Sequence, residues 1–211
     1  PFSYAKKNAK YLSSLTGEEM EVDSKFLHPH ARITSKFLSL IPTFIYKPKN
    51  KEIIKGVHLY GVYNAAHGLF ADLRESWYGW WGYNTQPARK VMKMWNKFFL
   101  NNPQGKFLMF CHSQGAIHIK HALSVYPEDL RKQIEVVAIA PGVYINPKHC
   151  GRVVHYASKS DFIHRFDRKA RCNVIDLTAH SKASYILPDH SFQSPTFKAC
   201  IRRNLEDFIK N

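Results

Sequence analysis

The sequence predicts an α/β fold of three layers, in which helices pack on both faces of a mostly parallel sheet. Short apolar runs alternate with helical patterns from about residue 53 onward, and residues 134–140 are a clear example of a buried strand. The chain has 211 residues, a length that suits one domain with a full hydrophobic core. Since no repeat or linker divides it, we expect a single domain over residues 1–211.

The first 50 residues are predicted to form an N-terminal helix and an irregular extension. A helical pattern lies near residues 4–16. Residues 31–47 hold a further apolar run that could add a strand, although Pro42 interrupts it. The regular alternation of strands and helices starts only after this region.

A strand, a tight turn and a helix follow one another directly at residues 107–119. The apolar run 107–110 ends in Cys-His-Ser-Gln-Gly, with Ser113 at its centre, and a helical pattern begins at once. This order is typical of a nucleophile elbow, which presents a serine at the carboxyl edge of a parallel sheet. Small residues normally stand two places before and after the serine. Gly115 fits this pattern, and Cys111 replaces the usual first glycine.

Stabilisation of an oxyanion is predicted beside Ser113. The start of the following helix carries partial positive charge, and the backbone N–H of Gln114 is the expected first donor. The second donor usually comes from the loop after an earlier strand. Residues 53–63 are predicted to be that strand, so the backbone N–H of Tyr63 or Asn64 is the candidate.

A carboxylate is expected downstream, because a serine nucleophile needs a histidine base that is oriented by an acid. In α/β-hydrolases the acid follows the serine and precedes the histidine in the chain. Asp161 lies in the loop after the predicted strand 152–157 and is the candidate. It could instead serve only as a turn or helix-capping residue. Asp167 is the alternative acid, whereas Asp176 belongs to the predicted strand 173–178.

The base is predicted in the loop before the last helix, which extends from about residue 195 to 209. His190 occupies that loop, and His180 is the alternative because it lies closer to the preceding strand end. His112 and His118 flank the serine, but neighbours on an elbow point away from the nucleophile. Neither is therefore expected to act as the base.

The four cysteines show no paired CxxC spacing, so no metal site is predicted. No cofactor is predicted either. Reduced thiols are the default, although a disulfide between Cys150 and Cys172 is conceivable. Cys111 is a weak alternative nucleophile because it lies on the strand rather than at the tip of the turn. Cys200 has no predicted role.

The composition favours anionic partners. The net charge is +15, from 31 Lys and Arg against 16 Asp and Glu. Acidic lipid surfaces or acidic substrates fit such a charge, whereas no nucleic-acid-binding motif accompanies it. A basic surface that is merely solvated is the competing explanation. Neither the charge nor the composition of the chain predicts an oligomeric state.

Three of the four tryptophans, Trp77, Trp80 and Trp81, fall within the segment 76–83. Glycines in this segment argue against a regular helix and favour a loop. Such a loop could cover the site as a lid or form the wall of an acyl-chain site. Packing of these rings in the core is the alternative.

Location in the cell is left open by the sequence. No apolar run reaches the length of a membrane span, and no signal peptide is visible. The first residue is Pro1, so an upstream segment would not be seen. We expect a soluble domain that is cytoplasmic, secreted or attached to a membrane through a preceding segment.

Four segments resemble a family of chlamydial proteins with an α/β-hydrolase-like region: residues 59–64, 110–116, 138–142 and 189–195. The resemblance covers roughly residues 50–210. It implies a hydrolase-like fold and a bacterial source, and it places Ser113, Asp161 and His190 on the matching positions of a lipase-like triad. The turn around Ser113 is by itself similar to that of many lipases and esterases.

Two functions of different classes follow from these features. The first is a serine hydrolase that cleaves an ester or thioester, of a lipid or acyl chain, through an acyl-enzyme. The second is a hydrolase-fold protein without catalytic activity that binds anionic membranes or a protein partner. The distances among Ser113, His190 and Asp161 distinguish these two functions, because a hydrolase requires the three side chains to lie within hydrogen-bond reach.

Overall fold

A computed structural model describes residues 86–163, 167, 171–183 and 189–210, together with the helical residues Tyr11 and Leu15. These two residues fall within the helix predicted near residues 4–16. The strands predicted at residues 31–47 and 53–63 lie outside the described residues.

The described part of the chain forms a four-stranded parallel sheet. Its strands are β1 (Phe107–Ser113), β2 (Ile134–Pro141), β3 (Arg152–Ser158) and β4 (Val174–Leu177). They lie side by side in chain order. All four carboxyl ends therefore meet at one edge of the sheet, and the α/β class that the sequence predicts is confirmed. The predicted strands agree with the observed ones to within a few residues at either end.

Helices flank this sheet. They are α1 (Gln86–Asn101), α2 (Gly115–Val125), the short α3 (Glu128–Arg131) and α4 (Pro195–Lys210), and a 3-10 turn spans Pro147–His149. In α4, Phe197, Ile201 and Leu205 recur every four residues and are all buried. This spacing forms one apolar stripe along the helix, which packs against the sheet.

Side chains alternate between two hydrophobic clusters along β1, because successive residues of a strand point to opposite faces. Met109 and Cys111 join the cluster that contains α1 and α2. Leu108 and Phe110 join the cluster that contains α4 and Leu15. Strands β1, β2 and β3 thus contribute to buried clusters, whereas β4 at the edge of the sheet is partly exposed. β1 is buried along most of its length.

Within the described part of the chain, no helix combines the length and the apolar character that crossing a membrane requires. The prediction of a single domain over the whole chain depends also on residues outside this part.

Candidate active site

Ser113 ends β1 in a strained backbone conformation. Its φ of 52° is positive, although it is not a glycine, and such a conformation costs about 1–2 kcal/mol for an L-residue. The register with β2 shifts between His112 and Ser113, and α2 begins two residues later at Gly115. The backbone N–H of Gly142 donates to the Ser113 carbonyl at 3.0 Å, which ties the turn to the end of β2. The serine side chain is therefore presented at the carboxyl edge of the sheet.

His190 and Asp161 lie beside this serine. His190 Nε2 is 2.8 Å from Ser113 Oγ, and His190 Nδ1 is 2.7 Å from Asp161 Oδ2. The three side chains thus form one continuous chain of hydrogen bonds. Asp161 follows β3, and His190 lies between β4 and α4.

The hydrogen bonds of Asp161 indicate how the His190 ring is oriented between its two partners. Its carboxyl group is fully buried, and Oδ1 accepts the backbone N–H of Ile163 at 2.9 Å. The remaining oxygen, Oδ2, accepts the Nδ1–H of His190. The Nε2 lone pair of His190 is then directed at the hydroxyl of Ser113, which donates to it. Asp161 is thus both a turn residue and the partner of His190.

Two anchors hold the loop that carries His190. Asp189 has a positive φ of 51° and is buried, and its carboxylate accepts the hydroxyls of Ser194 and Thr196 at the start of α4. From the other side, His112 Nε2 lies 2.5 Å from the carbonyl oxygen of His190. The loop is therefore held by hydrogen bonds to both α4 and β1.

The alternative base and acids have other partners. His180 is exposed, and its Nδ1 accepts the backbone N–H of Lys182 at 3.1 Å. Asp167 accepts the backbone N–H of Tyr144 at 2.9 Å and lies 3.7 Å from Lys120 Nζ.

Asp176 lies on β4 and pairs with the Arg171 guanidinium. His190 and Asp161, rather than these alternatives, are the residues that the structure brings to Ser113.

Cys111 lies beneath the elbow and is completely buried. Burial raises the pKa of its thiol well above the usual range, which disfavours the thiolate that a cysteine nucleophile requires. All four cysteines are free thiols. Across the ranges that the structure describes, no group of three His, Cys, Asp or Glu side chains could hold a metal ion.

Gln114 has helical dihedral angles of −54° and −26° and lies at the N-terminal end of α2. Its backbone N–H therefore belongs to the positive end of the helix, beside Ser113. The predicted second oxyanion donors, Tyr63 and Asn64, lie outside the described residues. The tryptophans of the predicted lid, Trp77, Trp80 and Trp81, also lie outside them.

The contact of His112 with the loop of His190 was missed by sequence reasoning, which considered His112 only as a possible base. A usable signal was present, because strand alternation places His112 on the same face as Phe110. That face also holds Phe192, whose ring centroid is 6.1 Å from that of His112.

A protein-family model matches residues 54–208, which is most of the chain. The chain belongs to the DUF687 family. The family is described as proteins of unknown function. No curated protein and no solved structure matches the chain significantly. The family description names no activity and no source, so the resemblance to chlamydial hydrolase-like proteins stays a prediction.

Proposed function

We propose that this protein is a serine hydrolase that cleaves an ester or thioester through an acyl-enzyme. One observation carries the proposal: Ser113 Oγ, the imidazole of His190 and the buried carboxylate of Asp161 are joined by hydrogen bonds of 2.8 and 2.7 Å. Nucleophile, base and orienting acid are recognised by this geometry rather than by sequence position.

The proposed reaction steps follow from the hydrogen bonds that join Ser113, His190 and Asp161. Ser113 Oγ attacks the acyl carbonyl carbon, and His190 Nε2 takes the hydroxyl proton. Asp161 remains ionised and stabilises the imidazolium through the Nδ1–H bond. The tetrahedral intermediate then expels the alcohol or thiol, which receives the proton from His190. A water molecule, deprotonated by His190, hydrolyses the acyl-serine and restores the enzyme.

The order of the elements supports an α/β-hydrolase arrangement. The serine follows β1 at a strand-to-helix turn, the acid follows β3, and the histidine precedes the last described helix. This is the order of the triad along the chain in that fold. The positive end of α2 beside Ser113 supplies a suitable place for the oxyanion.

A lipid or acyl chain is the substrate class that we propose. The net charge of +15 attracts acidic lipid surfaces, and the aromatic segment 76–83 has a composition that suits the wall of an acyl site. A binding protein without activity is the competing function. The complete triad favours the hydrolase, because a buried carboxylate that orients a histidine beside a partly accessible serine is the arrangement that nucleophilic catalysis by serine requires.

A fluorophosphonate probe tests the proposal, because it phosphonylates an activated serine. We expect the wild-type protein to be labelled and Ser113→Ala not to be labelled. His190→Ala should slow labelling by roughly 1,000-fold or more, since the base is lost. His180→Ala is the matched control: it removes an exposed histidine near the same loop and should label at the wild-type rate.

Mass spectrometry of the labelled peptide identifies the modified residue. Absence of labelling in the wild type, while a control hydrolase reacts, would refute the hydrolase. Labelling that persists in Ser113→Ala would assign the nucleophile to another residue. A series of p-nitrophenyl esters of increasing acyl length then tests the substrate class. A rate that falls steadily with acyl length would contradict an acyl-chain site.

A further inference from the structure

His112 precedes Ser113 in β1 and points to the face of the sheet that packs against α4. Its ring centroid lies 5.1 Å from that of His190 and 6.1 Å from that of Phe192. Its Nε2 lies 2.5 Å from the main-chain carbonyl oxygen of His190. A carbonyl oxygen only accepts, so this contact requires that Nε2 of His112 carries the proton.

We propose that His112 is a positioning residue, which holds the backbone of His190 so that the His190 ring stays directed at Ser113. This inference rests on the proposed hydrolase function. His112 acts through the carbonyl group of His190 and touches neither the attacking oxygen nor the acyl group. It is therefore distinct from the three residues of the triad.

The bond from His112 restrains the backbone of His190 at its carbonyl group, next to the buried Phe192 and the turn from Ser191 to Ser194. On the amino side of His190, Asp189 is held in a left-handed conformation by its bonds to Ser194 and Thr196. Asp161 restrains only the Nδ1 end of the ring. Rotation of the peptide group after His190 would swing the ring away from Ser113, and the bond from His112 opposes this rotation.

A histidine suits this role better than a lysine or an arginine. His190 becomes an imidazolium during the reaction, and a permanent cation 5 Å away would oppose that charge. Burial, together with the nearby His190 ring, lowers the pKa of His112 to about 4, even though the hydrogen bond to the His190 carbonyl and the nearby Asp161 act in the opposite direction. His112 thus donates a hydrogen bond without carrying a charge at neutral pH.

The tautomer of His112 gives a test that does not depend on activity. In protein labelled with 15N-histidine, long-range 1H–15N spectra at pH 7 distinguish Nε2–H from Nδ1–H, and the spectrum of His112→Gln assigns the signals. We expect a neutral Nε2–H tautomer at His112. A neutral Nδ1–H tautomer would leave no donor for the His190 carbonyl and would overturn the proposal.

Labelling kinetics supply the second test. His112→Leu should slow the maximal rate of phosphonylation by about 10- to 100-fold, because small misplacements of catalytic groups cost this much, and should leave the half-saturating probe concentration unchanged. His112→Gln keeps an N–H donor near the Nε2 position and should recover most of the rate. The matched control is His149→Gln, at the distant 3-10 turn.

The downfield proton signal of His190 Nδ1–H shows whether the ring is still held. We expect this signal in the wild type and in His112→Gln, and we expect it to broaden in His112→Leu. A wild-type rate in His112→Leu, or equal slowing in both His112 variants, would overturn the positioning role while the hydrolase function stands. If the wild type is not labelled, the hydrolase function fails, and the two NMR measurements still decide whether His112 holds the loop.

Discussion

Buried histidines make the stability of this fold sensitive to acid. Burial lowers the pKa of His118 on α2 from 6.5 to about 4, and the ring is completely buried. In the unfolded chain the ring recovers its ordinary pKa. Between pH 6.5 and pH 4 the unfolded state therefore binds a proton that the folded state does not bind. The stability that the neutral ring contributes is present above about pH 6.5 and is lost as the pH falls toward 4.

The size of this effect follows from the two pKa values. For one such ring, proton linkage gives a loss of about 2 kcal/mol in the free energy of unfolding between pH 7 and pH 5. His118→Leu removes the titrating ring from the buried face of α2 and adds no charge. We expect the free energy of unfolding of the variant to fall by about 2 kcal/mol less than that of the wild type over this interval. His112 and His155 continue to titrate in both proteins, because burial lowers their pKa values as well.

Urea unfolding at pH 7 and pH 5, at constant ionic strength, measures this difference. The net charge of +15 also opposes folding at lower pH, but it acts on both proteins and cancels in the comparison. His180→Ala, which removes an exposed histidine, should keep the pH dependence of the wild type. An identical pH dependence in the wild type and in His118→Leu would refute the reasoning.

Three further outcomes are expected. Asp161→Asn removes the ionised acceptor of the His190 ring and should slow fluorophosphonate labelling by roughly 1,000- to 10,000-fold; an unchanged rate would contradict its role. Gly151→Ala places a methyl group 2.2 Å from a main-chain carbonyl oxygen and should lower the free energy of urea unfolding by about 1–3 kcal/mol. Asn204→Leu removes the buried partner of the Tyr156 hydroxyl and should lower the free energy of urea unfolding by a similar amount. The control Arg203→Ala, on the exposed face of α4, should change this free energy by less than about 0.5 kcal/mol.

The sheet and the order of the site residues were accessible from the sequence because both depend on local patterns. Apolar runs of strand length predicted β1, β2 and β3, and parallel strands place their carboxyl ends at one edge. Asp161 follows β3, and His190 follows β4, which corresponds to the predicted strand 173–178. Both residues were therefore candidates to meet Ser113. A choice between His190 and His180 required coordinates, because both lie in loops near the same edge of the sheet.

The face on which His112 lies could be predicted from strand alternation, but the hydrogen-bond partners that support His190 could not. His112 bonds to a main-chain carbonyl oxygen 78 positions further along the chain. Every residue has such a carbonyl group, so the residue type at that position does not reveal the acceptor. Asp189 bonds instead to the side-chain hydroxyls of Ser194 and Thr196 at the start of α4, but serine and threonine are common at helix starts whether or not such a bond forms. Local patterns predict which elements form, whereas the angle at which a loop meets a strand is set by packing between distant parts of the chain.

The separation of the site residues along the chain has a consequence for biosynthesis. Ser113 and His190 are 77 positions apart, and Asp161 and His190 are 29 apart. During translation Ser113 leaves the ribosome long before His190, so a growing chain carries the serine without the partner that we propose activates it. In the proposed hydrolase, Ser113 gains its reactivity only when β4 and the following loop have been made and have docked on the sheet. A polypeptide that is interrupted before that point should therefore carry an inert serine. Only chains that have been synthesised at least as far as His190 should react through Ser113.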